Sequence, residues 1–196
     1  MSAAAAESGT RNRTRQAILA AAARVLGRNH RATLADVARE ADVGRSTLHR
    51  YFSDRDELMR AVVVDSLAMA DRAVRDAAPD QGPAREALHR LIAAMIESGD
   101  RVIFLWSDPR VLEDYGPDPA DGASLPADPH ATLRLIQRGQ REGFLDPGVP
   151  AEWIQNVLWS LVYTGVESAD QGIVPRHGVT TMVIRTLENG FRVSSD

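Results

Sequence analysis

The chain has 196 residues, of which 44% are hydrophobic and 26% charged, a composition typical of a globular domain. It contains no cysteine, which excludes a disulfide framework and thiolate chemistry. No apolar run approaches the roughly 20 residues that a membrane-spanning helix needs. The first residues also lack the pattern of a secretory signal. We therefore expect a cytoplasmic protein that does not contact a membrane.

The net charge of −4 is unevenly distributed along the chain. Residues 1–60 carry 11 arginines against 7 acidic residues, whereas residues 61–196 carry 12 arginines against 20 acidic residues. A basic part within an acidic chain indicates an acidic partner for that part. Nucleic acid is the partner that this asymmetry favours.

The N-terminal segment precedes the first periodic helix. Residues 1–9 lack periodicity, and we expect them to be disordered. Arg11, Arg13 and Arg15 form a basic arm that can reach phosphates or the minor groove, and the alternative is a solvated helix start. The first helix is predicted over residues 13–28, with one apolar face.

Residues 33–58 follow the spacing of a helix-turn-helix. Leu34, Val37, Ala38 and Ala41 repeat at helical spacing, and Thr33 can cap that helix. A second short helix is predicted from residue 44 to 51, and a third, capped by Ser53 or Asp54, from residue 54 to about 77. The second helix is polar and exposed, as reading of a major groove requires. An ordinary helical hairpin with a polar outer face is the alternative.

The rest of the chain is predicted to be helical as well. Helices are expected over residues 83–98, 130–143, 151–170 and 177–192, with shorter helical turns over 102–106 and 110–115. Residues 116–129 hold four prolines and two glycines, which predicts a mobile loop. The fold class is therefore all-α.

The sequence offers no recognisable active site. The five histidines lack the spacing of HExxH, and GxSxG, P-loop and GxGxxG motifs are absent. We expect no enzymatic activity, no metal and no cofactor.

Residues 15–62 resemble the DNA-binding domain of the TetR family of transcriptional regulators. The resemblance rests on RQAILAAAARVL in the first helix, on TLADVA followed by Ala41, and on STLHRYFSDRDEL. Asn29 and Asp42 stand where the family usually has glycine in a left-handed conformation, which asparagine tolerates better than aspartate. His49 stands where the family usually has a tyrosine that contacts a DNA phosphate.

The resemblance implies a DNA-binding domain over residues 10–60 and an effector-binding and dimerisation domain over residues 61–196. Arg45, Ser46, Thr47 and Arg50 are expected to contact bases or phosphates of a double-stranded operator. Thr33, His49, Tyr51 and Arg55 are expected mainly to contact the DNA backbone.

The larger domain is expected to bind a small apolar or aromatic effector and to form a homodimer through its last two helices. The side chains predicted to line the effector cavity combine apolar surface with a few polar tips: Phe104, Trp106, Tyr115, Leu133, Ile136, Gln137, Gln140, Trp159 and Tyr163. For each residue, simple core packing is the alternative. The function expected is that of a repressor released by its effector. The alternatives are a DNA-binding regulator without an effector and, more remotely, an enzyme that uses the helical cavity.

Overall fold

The computed structural model of the chain describes residues 2–117, 128 and 130–191, and side chains from residue 9 onward. The described residues form ten α-helices and a short 3₁₀ turn, with no strand among them, which confirms the all-α prediction. The helices are α1 (Ser2–Arg28), α2 (Leu34–Glu40), α3 (Arg45–Tyr51), α4 (Arg55–Asp76), α5 (Ala84–Glu97), α6 (Gly99–Trp106), α7 (Arg110–Tyr115), α8 (Ala131–Arg141), α9 (Ala151–Asp170) and α10 (Val179–Phe191). The 3₁₀ turn, Arg176–Gly178, directly precedes α10.

The chain divides into two compact units. The first comprises the described residues of Met1–Leu67 and Ile103–Ala123, and the second those of Ala68–Val102 and Ser124–Asp196. The division falls within α4 and α6. The boundary predicted at residue 60 also lies within α4. The prediction placed α7 and the end of α6 in the larger domain, whereas in the structure both belong to the first unit.

The core of the first unit joins the helix-turn-helix to α1, α4, α6 and α7. Its buried side chains are apolar and come from every one of these elements: Ile18, Leu19, Ala22, Leu26, Val37, Ala38, Leu48, Phe52, Leu58, Val62, Phe104, Leu105 and Val111. Burial of these apolar side chains is the main source of stability of the first unit.

The second unit packs α5, α8, α9 and α10 around an apolar core. An ionic cluster around the buried Glu188 adds a link between the first and last of these helices. Glu188 of α10 accepts bidentate bonds from Arg85 at 2.8 and 2.9 Å, and His89 Nε2 lies 2.7 Å from the same carboxylate. The bonds from Arg85 are the main reason why the pKa of Glu188 is lowered.

One prediction for the N-terminal region is wrong. Residues 2–9 continue α1 instead of being disordered, because residues 3–6 are all alanine, the residue with the highest helix propensity. Asn29 is not left-handed. Its side-chain oxygen instead accepts a bond from the Arg31 amide at 3.0 Å, and this bond shapes the turn after α1.

Most of the loop predicted over residues 116–129 lies outside the described residues. Within the described ranges, no helix combines the length and the apolar character needed to cross a bilayer.

Candidate nucleic-acid interface

The second helix of the helix-turn-helix, α3, is held to the first unit by one side of its surface. Leu48 is fully buried, while Arg45, Ser46, His49 and Arg50 are exposed, and Thr47 and Tyr51 are half-buried. Phe52, directly after the helix, is also buried. The seven-residue helix is thus anchored by apolar residues and leaves its polar face open.

The segment before α3 is fixed by two local motifs at the ends of α2. At its start, Thr33 Oγ1 accepts a bond from the Asp36 amide, and Asp36 accepts one from the Thr33 amide at 2.9 Å, which forms a capping box. At its end, the Asp42 amide donates to Arg39 and the Val43 amide donates to Ala38. This is a Schellman motif, and it needs the left-handed φ of +52° that Asp42 adopts.

The same capping box lowers the pKa of its carboxylate. The pKa of Asp36 is lowered mainly by the hydrogen bond from the Thr33 backbone amide, and then by the bond from the Thr33 hydroxyl. The charged form of Asp36 is therefore the one that stabilises the start of α2.

Two of the predicted DNA-contacting residues, Thr33 and Arg55, have side-chain hydrogen-bond partners within the protein. The Thr33 hydroxyl is occupied by Asp36. The Arg55 guanidinium donates to the carbonyl oxygens of Ala32 and His30, and so ties the start of α4 to the turn before α2. The sequence predicted the Thr33 cap, but it gave no sign of the structural role of Arg55, because the Arg55 bonds span more than 20 residues of chain.

Arginine side chains surround the aromatic residues at the end of α3. The guanidinium of Arg50 lies 5.9 Å from the centre of the Tyr51 ring, and that of Arg11 lies 6.0 Å from it. Arg15 lies 5.6 Å from the centre of the Phe52 ring. Arg11 and Arg15 thus belong to α1 and lie beside the end of α3.

The nine residues predicted to line an effector cavity do not lie in one unit. Phe104, Trp106 and Tyr115 belong to the first unit, and the other six belong to the second. Phe104 is fully buried in the core of the first unit, whereas Trp106 is 43% exposed. The Tyr115 hydroxyl donates to Asp56 at 3.1 Å, and burial is the main reason that the pKa of Tyr115 is raised.

The six predicted residues of the second unit have different environments. Ile136 is fully buried in its core, and Leu133 and Trp159 pack against that core. Gln140 donates to the carbonyl oxygens of Asp146 and Val149, so its amide group already has a structural role. Gln137 and Tyr163 are half-buried.

A cavity of about 120 Å³ lies elsewhere in the second unit, between α9 and α10. Its lining is apolar with several hydroxyl groups: Leu161, Thr164, Gly165, Ser168, Val174, Val179, Met182, Val183 and Thr186. None of the nine predicted residues lines it. Glycine and hydroxyl residues on α9 are the feature of the sequence that indicates this cavity. A Cβ on Gly165 would lie only 2.8 Å from Val179, so the two helices approach closely at this point.

Comparison with known proteins decides the family. Residues 18–62 match the family model of bacterial regulatory proteins of the tetR family. The chain is 35% identical over 185 residues, 94% of both sequences, to the HTH-type transcriptional repressor LfrR of Mycolicibacterium smegmatis. The chain belongs to the TetR family.

One further relative and a crystal structure of LfrR agree with this assignment. The HTH-type transcriptional regulator NfxB of Pseudomonas aeruginosa is 26% identical over 163 residues, with 82% of this chain and 83% of NfxB covered. The crystal structure of LfrR from Mycobacterium smegmatis in complex with proflavine superposes with a TM-score of 0.71 at 34% identity, covering 94% of this chain and 99% of LfrR. The chain is therefore a DNA-binding transcriptional regulator of the TetR family, as the resemblance implied.

Asp42 of the turn and His49 of α3 differ from the residues usual in this family. Asp42 adopts the left-handed conformation for which TetR-family sequences usually use glycine. His49 is exposed on α3, where an imidazole can still donate a hydrogen bond. The two arginines of α3, Arg45 and Arg50, are both exposed.

Proposed function

We propose that the protein is a repressor that binds a palindromic operator as a homodimer and leaves it when an aromatic or apolar effector binds. The observation that carries the proposal is the 35% identity to a transcriptional repressor over 94% of the chain. The exposure of α3 supports the same proposal. Its two arginines, Arg45 and Arg50, are exposed and make no ion pair with a carboxylate among the described side chains.

The contacts follow from the chemistry of α3. Arg45 and Arg50 present planar guanidinium groups that match the edge of guanine or a phosphate. Ser46 and Thr47 add hydroxyl groups that contact bases or phosphates. His49 and Tyr51 contact the DNA backbone, while Thr33 and Arg55 act mainly by holding the helix-turn-helix together.

The outer surfaces of α9 and α10 support dimerisation. Trp153 is 59% exposed and Met182 is 51% exposed, although both are large apolar residues. Exposed apolar residues on neighbouring helices favour burial against a second copy. Two-fold symmetry then places two α3 helices in successive major grooves, roughly 34 Å apart.

The effector belongs to the second unit. The relative LfrR has been crystallised with proflavine, an aromatic compound. Two places in the second unit are candidates for the effector site, namely the predicted residues Trp159 and Tyr163 and the cavity between α9 and α10. The effector releases DNA only if its affinity is higher for the conformation that does not fit the operator than for the conformation that does.

Selection of bound duplexes from a random DNA pool tests the DNA-binding part of this proposal. We expect an enriched palindrome whose half-sites are about one helical turn, 10–10.5 base pairs, apart. The affinity should fall steeply as salt rises, because arginine–phosphate contacts release counterions. An enriched site without two-fold symmetry contradicts the dimer, and the absence of any enriched site contradicts the operator.

Proflavine titration of the complex between the protein and the selected operator tests the effector. We expect proflavine to release the DNA and to bind the free protein. Tyr163→Ala and Thr164→Ala, neighbours on α9, distinguish the two locations: Tyr163 belongs to the predicted set, and Thr164 lines the cavity toward α10. If proflavine and other aromatic or apolar compounds neither bind nor release DNA, the chain is a regulator without such an effector.

A further inference from the structure

The aromatic residues at the end of α3 are covered by guanidinium groups from two different helices. Arg50 of α3 and Arg11 of α1 lie 5.9 and 6.0 Å from the centre of the Tyr51 ring. One turn further along α1, Arg15 lies 5.6 Å from the centre of the Phe52 ring. Arginines of α1 and of α3 therefore lie close together around Tyr51 and Phe52.

The contact with an aromatic ring leaves a guanidinium able to bind an anion. The ring interacts with the flat face of the group, whereas its five N–H donors point outward in the plane. Arg11 and Arg15 are both exposed, and neither makes an ion pair with a carboxylate among the described side chains. Both guanidinium groups thus lie beside a ring on side chains that solvent, and therefore an external anion, can reach.

The three arginines of this part of α1 are not equivalent. Arg11 and Arg15 are four residues apart, so they share one face of the helix at a distance of about 6 Å along its axis. Arg13 lies on the opposite face, and its Nη2 donates to the Thr10 hydroxyl at 3.1 Å. The charge at all three positions is the same, but only two of them lie beside the recognition helix.

We propose that Arg11 and Arg15 bind phosphates of the operator backbone and so extend the DNA interface from α3 onto α1. This inference rests on the proposed operator binding by α3. The aromatic rings hold the two guanidinium groups before DNA arrives, which reduces the ordering required on binding. Because phosphates carry no sequence information, these contacts add affinity and orientation without changing the preferred sequence.

Arg11→Ala and Arg15→Ala test the inference, with Arg13→Ala as the control of equal charge on the other face. Affinity is measured at several salt concentrations for the selected operator and for a scrambled duplex of equal length. Each phosphate contact contributes about 0.9 to the slope of log affinity against log salt, and a dimer has two copies of each arginine. We therefore expect each of the two variants to reduce that slope by about 1.8. Between about 50 and 200 mM salt, the loss of affinity should then be about tenfold smaller than for the unmodified protein.

The ratio of operator affinity to scrambled-duplex affinity should stay unchanged in Arg11→Ala and Arg15→Ala. Arg13→Ala should leave the salt slope close to that of the unmodified protein. Equal slopes for all three variants and the unmodified protein, or an equal reduction in all three variants, would overturn the inference while leaving operator binding by α3 intact. Failure of the unmodified protein to select any operator would instead refute the proposed function. Thermal unfolding of each variant distinguishes a structural role of the ring contacts from phosphate binding. A variant that only folds less well has a lower melting temperature, but its remaining folded dimer keeps the salt slope of the unmodified protein.

Discussion

The helices α2 and α3 have the same length of seven residues and belong to the same unit, yet their polar groups are used in opposite ways. In α2, Thr33 and Asp36 form a capping box, and Arg39 pairs with Asp36 at 2.9 Å. In α3, Gly44 gives no side-chain cap, the helix contains no acidic residue, and its arginines face solvent. A helix whose polar groups are satisfied within the protein supports the fold, whereas one whose donors remain open is suited to an external acceptor.

The largest expected effect comes from removing the open donors of α3. Arg45→Ala combined with Arg50→Ala should lower operator affinity by at least about 100-fold, because each bidentate contact with a base contributes about 1–3 kcal/mol. Stability should change little, since both side chains are exposed. Fluorescence anisotropy with labelled operator measures the affinity.

The matched control for that pair is Arg39→Ala in α2. Arg39 is also exposed, but its guanidinium already pairs with Asp36. Its loss should change operator affinity far less than the loss of Arg45 and Arg50. An equal loss of affinity in the control would mean that general surface charge, and not α3, determines binding.

A smaller effect is expected from the cap of α2, and it concerns stability. Thr33→Ala removes the hydroxyl that accepts from the Asp36 amide, and an N-cap of this kind contributes about 1 kcal/mol to the free energy of unfolding. Thr33→Ser keeps the hydroxyl and should remain close to the unmodified protein. Ser46→Ala in α3, where no cap exists, should change the free energy of unfolding by less than about 0.5 kcal/mol. Urea denaturation measures all three, and equal effects of Thr33→Ala and Ser46→Ala would contradict the contrast between the two helices.

The difference between α2 and α3 also shows how far sequence reasoning reached. Local patterns predicted the helix-turn-helix, the Thr33 cap and the bounds of α9, because these depend on residues within a few positions of one another. The bonds from Arg55 to Ala32 and His30 and the approach of Arg11 to Tyr51 depend on tertiary packing, which periodicity does not reveal. The cavity between α9 and α10 was missed for the same reason, since it exists only where two faces meet.

A pH titration sharpens the contrast, because α2 contains a carboxylate in its capping box and α3 has none. The pKa of Asp36 is lowered from its ordinary value near 3.8 in the folded protein, mainly by the backbone amide of Thr33. A lowered pKa in the folded state adds stability above the ordinary value, and that stability is lost as pH falls through the folded-state value. Asp36→Asn should therefore be less stable than the unmodified protein at neutral pH.

The two proteins should approach equal stability as pH falls below about 4. Asp54 and Glu57, whose pKa values are also lowered, titrate in both proteins and do not affect the difference. Urea denaturation at a series of pH values measures this gap. A gap that stays constant down to the acid limit would show that the charge of Asp36 does not contribute.

The smallest expected effect lies in the turn that joins the two helices. Asp42 adopts a φ of +52° within a Schellman motif, whereas α8 and α9 end in the same motif with Gly143 and Gly172 at that position. Glycine adopts this conformation without steric cost, and aspartate adopts it at a smaller cost than alanine does. Asp42→Gly should therefore raise the free energy of unfolding by up to about 1 kcal/mol, and Asp42→Ala should lower it. Since the turn keeps its geometry in Asp42→Gly, operator affinity should stay unchanged, and a loss of affinity would show that Asp42 itself takes part in holding α3 in its binding orientation.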